Sequence, residues 1–157
     1  MRKFLTKTLL AFAITTITAF GADNSLGTWK LNVEKSKYTP GPSPLKSLTT
    51  VREAADGGVK VTTTGERADG TQVNITYTAK YDGSESTVAG PGLLYDKISV
   101  KQANANTLTD QRKKTGGSYQ ASGRTVISNG GKTLTLTLKG TNADGMAFTS
   151  TSVWDKQ

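Results

Sequence analysis

Neither cysteine nor histidine occurs anywhere in the chain. Without cysteine there is no disulfide, no thiolate nucleophile and no cysteine for a lipid anchor, so the fold must rest on sheet and core alone. Without histidine the usual general base is missing, and the Ser-His-Asp triad and the HExxH zinc motif go with it. The commonest zinc and iron sites lose their main ligands as well. No cofactor and no metal are therefore expected. Large apolar side chains are also scarce, at a level where disorder competes with folding, and threonine is abundant in their place. Regular alternation of apolar and polar residues decides for a fold.

No apolar run is long enough to span a bilayer. The longest, from Thr8 to Phe20, covers about 13 residues against the roughly 20 that a spanning helix needs. It follows Arg2, Lys3 and Lys7, with no acid to offset them, and leads into Ala19-Phe20-Gly21-Ala22. That order is the order of a secretory signal peptide, and cleavage after Gly21 puts small residues at both positions read by the peptidase. Residues 1–21 are thus expected to be a signal and residues 22–157 a single domain. The mature protein is expected in the periplasm or outside the cell, with no stable membrane anchor.

Removing residues 1–21 takes away three of the 20 basic residues and none of the 12 acids, so the net charge falls from +8 to +5. The remaining bases are scattered, and no aromatic-interleaved basic motif points to nucleic acid. Their one cluster, Arg112-Lys113-Lys114, precedes Gly116-Gly117 and reads as the solvated tip of a hairpin.

Turn signals recur along the chain: Asp56-Gly57-Gly58, Asp69-Gly70, Asp82-Gly83, Gly90-Pro91-Gly92, Asn104-Ala105-Asn106, Gly116-Gly117, Asn129-Gly130-Gly131 and Asp144-Gly145. Asp-Gly and Asn-Gly supply the positive φ that tight hairpins need. Between them lie β-branched, alternating runs. Thr133 to Leu138 puts leucines on one face and threonines on the other. No window sustains a helical period. Ten strands follow, at 26–33, 46–55, 59–67, 71–81, 84–88, 94–102, 107–114, 118–128, 132–140 and 147–155. The longest unpaired connection is expected from Glu34 to Leu45, where Pro40, Pro42 and Pro44 block helix and central strand. Short connections imply an antiparallel up-and-down meander, and closing it into a β-barrel removes two exposed edges. A two-sheet β-sandwich is the alternative.

Leu26-Gly27-Thr28-Trp29-Lys30-Leu31 resembles the Gly-x-Trp opening of the calycins, the lipocalin and fatty-acid-binding superfamily. The hairpin from Lys132 to Gly140 and the terminus Thr151 to Lys156 resemble the closing strands of fatty-acid-binding proteins. The resemblance implies a lipocalin-like barrel in which Gly27, Trp29 and Trp154 serve closure and a cation covers the tryptophan. A group of small secreted bacterial proteins is similar over nearly the whole mature chain. The similarity runs through Gly27 to Asn32, Ser36-Lys37, Pro40 to Pro44, Tyr77 to Gly83, Gly131 to Thr135, Lys139 to Ala143 and Trp154 to Gln157. Two features depart from fatty-acid-binding proteins. The proline segment cannot form their helical portal, and Ser152 and Trp154 stand where their last strand carries an Arg-x-Tyr carboxylate clamp.

Three side chains are candidate ligand contacts. Tyr77 and Tyr119 share strand faces with apolar residues and are expected to point inward, where a phenol wants a hydrogen-bond partner. Arg124 lies by period on the outer face with Gln120, Ser122 and Val126. A bulge at Gly123 would instead turn it inward, over Trp29 or against an anionic headgroup. Glu53, Glu66, Asp96 and Asp110 fall on separate strands, and Asp56, Asp69, Asp82 and Asp144 read as turn residues. A barrel with so few large side chains leaves interior space for water or a ligand. The leading expectation is a non-enzymatic binding protein for a small hydrophobic or amphipathic molecule. An envelope-associated interaction module without such a ligand is the second, and a histidine-independent enzyme the third.

Overall fold

A computed structural model describes residues 21–157, and all but the last residue of the expected signal lie outside the described residues. Ten antiparallel strands form one sheet: β1 (Gly27–Thr39), β2 (Leu45–Ala55), β3 (Gly58–Arg67), β4 (Gln72–Lys80), β5 (Asp82–Thr87), β6 (Lys97–Asn104), β7 (Thr107–Lys113), β8 (Gln120–Ser128), β9 (Thr133–Thr141) and β10 (Ala147–Lys156). Neighbours along the sheet run β4-β3-β2-β1-β10-β9-β8-β7-β6-β5, so the first and last strands meet as closure requires. Leu31 pairs with Trp154, and Trp29 with Lys156.

The two remaining edges, β4 and β5, are joined by a seam. The segment after β5 folds back on β4, where Thr76 and Ala89 exchange backbone hydrogen bonds of 2.9 and 3.0 Å. Asn74 N donates to Pro91 O at 3.2 Å. Gly90 permits this approach. Its φ is +114°, and a Cβ there would fall 2.0 Å from Asn74 O. The result is a nearly closed barrel rather than a sandwich.

One connection differs from expectation. β1 continues to Thr39, so residues 34–39 are strand, and the true connection spans only residues 40–44. The register of β1 against β10 shifts between Asn32 and Lys37. Side chains replace the ladder there: Ser36 Oγ accepts from Val153 N at 3.0 Å and donates to Asn32 O at 2.7 Å. Asn32 Oδ1 accepts from Lys35 N, while its Nδ2 donates to Asp155. Polar residues that look like a loop in sequence therefore build a bulge.

Alternation sorts the side chains as the period of two demands. On β8, Ala121, Gly123, Thr125 and Ile127 are buried while Gln120, Ser122 and Arg124 are exposed. The inward residues do not make one continuous core. One cluster gathers around Val59, Val61, Tyr77, Ile98, Val100 and Phe148, and another around Trp29, Leu48, Val73, Ile127, Leu134 and Trp154.

Candidate functional site

The cavity that both clusters line has a volume of about 570 Å³, within the range of small-molecule pockets. Its floor, Trp29 with Arg52, is backed by the residues that precede β1. Ser25 is almost fully buried, and its carbonyl accepts the Trp29 indole N–H at 2.8 Å. Arg52 Nε donates to Ser25 Oγ at 3.1 Å. Asp23 accepts from the Tyr81 hydroxyl and, at 2.9 Å, from Ser25 N. Asn24 ties the same segment to the β6–β7 turn through Ala105 O and Asn106. Trp29, fully buried, thus closes this end, and the Lys156 ammonium lies over its ring, 5.1 Å from the centroid. The covering cation is Lys156, not Arg124.

The opposite end is the mouth. Pro42, Ser43 and Pro44 from the β1–β2 connection, Asp69 from the β3–β4 turn and Asp144 from the β9–β10 turn line it. Beside them an aromatic wall runs round the barrel at the mouth ends of the strands. Tyr38 stacks on Phe148 at 5.5 Å, Phe148 meets Tyr119 at 5.9 Å, and Tyr119 stacks on Tyr95 at 6.0 Å.

The wall ends on a buried ion pair. Leu108, Asp110 and Arg112 alternate along β7 and all line the cavity. Arg112 Nε donates to Asp110 Oδ1 at 2.6 Å and Nη2 to Oδ2 at 3.3 Å, with side-chain exposures of 12% and 6%. The guanidinium also lies 5.1 Å from the Tyr95 ring centroid. Burial disfavours the charged guanidinium, but Asp110 more than offsets this and holds Arg112 protonated well above its ordinary range. Arg112 was expected at a solvated hairpin tip. It is an interior residue, because the β-period of Leu108 and Asp110 carries through it, while Gln111 and Lys113 turn outward and Lys114 pairs with Asp96 at the surface.

Of the sequence candidates, Tyr77 and Tyr119 line the cavity and Arg124 does not. Pairing runs unbroken through Gly123, opposite Asp110 on one side and Leu138 on the other, so no bulge turns Arg124 inward. Arg124 stays exposed on the outer face, between Thr109 and Thr137. Burial raises the hydroxyl pKa values of Tyr95 and Tyr119 above the phenol range, and neither hydroxyl makes a hydrogen bond among the described residues. Trp154 Nε1 is likewise buried without a partner among the described residues. The cavity wall therefore carries two phenols, Tyr95 and Tyr119, whose hydroxyls have no partner among the described residues.

The sequence matches no protein-family profile and no curated protein significantly. Solved structures do share the fold. Zebrafish ileal bile acid-binding protein complexed with cholic acid superposes with a TM-score of 0.53 at 17% identity, over 86% of this chain and all of the other. The protein EF1p2_mFAP2b bound to DFHBI gives a TM-score of 0.50 at 13% identity, over 85% of this chain and 94% of the other. The chain shares the ten-stranded antiparallel barrel fold of these structures.

Proposed function

We propose that the protein is an exported, non-enzymatic carrier or receptor that holds a small hydrophobic or amphipathic molecule inside its barrel. The observation that carries this reading is the cavity itself. About 570 Å³ of apolar-walled space opens between the mouth loops and the Trp29 floor, with the unpaired phenols Tyr95 and Tyr119 on its wall. That both structural neighbours are bound to small molecules adds support.

Catalysis finds less support. Asp110, the carboxylate deep in the cavity, is engaged by Arg112, while Asp69 and Asp144 lie in turns at the mouth. The interaction-module reading would draw on an exposed apolar patch. Among the described residues only Val33 and Met146 are exposed large apolar side chains, and two isolated residues do not make one. For export, the floor gives indirect support. Gly21 and Ala22 are exposed, whereas Ser25 is buried, so cleavage after Gly21 would leave the floor intact.

Native mass spectrometry of the mature protein purified from its host, with a thermal-shift panel of isoprenoids, sterols and aromatics, tests the binding reading. A co-purified small-molecule mass or a saturable rise in Tm is expected. A protein that runs at its bare mass and responds to nothing in the panel would overturn it.

A further inference from the structure

Three arginines line the cavity, at Arg52, Arg67 and Arg112, which at first sight marks it for an anionic ligand. Only Arg112 has a carboxylate partner, while Arg52 and Arg67 each donate to a neutral oxygen. Arg112 is paired with Asp110 at 2.6 Å. Arg52 is held by Ser25 Oγ on the floor, where Asp23 anchors the same segment. Arg67 donates to Gly92 O across the seam, and Asp69 follows it in the mouth turn. The electrostatics agree: Asp69 is held below its ordinary range chiefly by the Thr71 backbone N–H, with Arg67 adding to it. By charge the lining is close to balanced, with Lys37, Arg52, Arg67 and Arg112 set against Asp69, Asp110 and Asp144 and with Asp23 in the floor segment, and the corner beside Arg112 offers the Tyr95 and Tyr119 hydroxyls and one guanidinium edge.

Taking the cavity as a ligand site, we propose that it selects uncharged ligands bearing a hydroxyl or carbonyl oxygen and rejects carboxylates on the same apolar body. The oxygen would lie among the Tyr95 and Tyr119 hydroxyls and Arg112 Nη1, the guanidinium nitrogen that Asp110 does not occupy. A carboxylate there would face two costs. It would lose its hydration, and it would approach the Asp110 carboxylate, which already neutralises Arg112. A neutral oxygen gains the same donors without either. The side chains at 152 and 154 are Ser and Trp, and neither supplies a cation that would change the balance.

The test uses the full mature protein and matched alcohol and carboxylate pairs on dodecyl, naphthyl and decalin bodies. Dissociation constants are read from tryptophan fluorescence at neutral pH, where the carboxylates are ionised. The alcohol is expected to bind at least about tenfold tighter than its carboxylate partner on every body that binds. Asp110→Asn leaves Arg112 uncompensated and should raise carboxylate affinity by about tenfold or more, reducing or inverting the ratio. Arg124→Gln, on the outer face, should leave the ratio unchanged. A carboxylate that binds the parent protein as tightly as its alcohol overturns this inference while the cavity reading stands. If no body binds in either form, the cavity reading fails and this inference with it. Should Asp110→Asn not fold by circular dichroism, the ratio in the parent protein decides alone.

Discussion

Gly123 on β8 stands directly opposite Asp110 on β7, and a Cβ at Gly123 would fall 2.3 to 2.6 Å from the carboxylate oxygens and carbon. The buried ion pair has its space because its neighbour has no side chain. Gly123 has no positive φ, so backbone strain does not explain a glycine at this point. The carboxylate does.

Gly123→Ala should therefore run against the ordinary trend. At an unstrained position this substitution stabilises by about 0.4–1 kcal/mol, through the unfolded chain. Here the added methyl must push Asp110 off the Arg112 guanidinium, and a loss of about 1–3 kcal/mol is expected. Urea denaturation reads the sign. A more stable Gly123→Ala variant would show that the carboxylate does not need the room.

The two tryptophans make a matched comparison, since both are buried and one indole N–H is satisfied while the other is not. Trp29→Phe loses the bond to Ser25 O and strips part of the floor, and should cost about 3 kcal/mol. Trp154→Phe removes a donor without a protein partner, so relief of that donor offsets part of the lost packing and the cost should stay near 1 kcal/mol. Equal costs, or the reverse order, would remove the distinction drawn between the floor and the cavity wall.

Alternation made the barrel legible. The faces of β8 and β9 and the inward Tyr77 and Tyr119 follow from a period of two, and pairing of the first and last strands follows from short connections and the need to remove edges. That same period places Arg112 beside Leu108 and Asp110, yet the basic triplet and the following glycines made a solvated tip the simpler reading. A buried cation is costly unless paired, and its partner two residues earlier was the signal to follow. Trp29 as the closing residue came from the Gly-x-Trp resemblance, but neither the bulge of β1 nor the Asp23–Ser25 segment that backs Trp29 was visible. Both depend on side chains substituting for ladder hydrogen bonds, Ser36 for the first and Asp23 with Ser25 for the second, and no periodicity records such substitutions. The cavity volume was foreseen only as a shortage of large side chains.

Alkaline pH should unfold the barrel through its buried tyrosines. Tyr81, Tyr95 and Tyr119 are raised above the ordinary phenol range, in each case chiefly because burial disfavours the phenolate; at Tyr81 the hydrogen bond to Asp23 adds to it. In the unfolded chain they ionise near pH 10. Between that value and their folded values the unfolded state binds fewer protons, so stability falls as pH rises. The contribution is fully present below about pH 10 and declines above it by up to about 1.4 kcal/mol per pH unit for each residue. With no histidine and no cysteine in the chain, no ordinary side chain titrates between about pH 5 and 8, and stability should be flat there. Phenolate absorbance and circular dichroism, recorded together, check both halves. Three of the five tyrosines should stay protonated until the barrel unfolds and then ionise with it in one step. Gradual ionisation of all five near pH 10, with the sheet signal intact, would mean that these hydroxyls face solvent and that the aromatic wall is not closed.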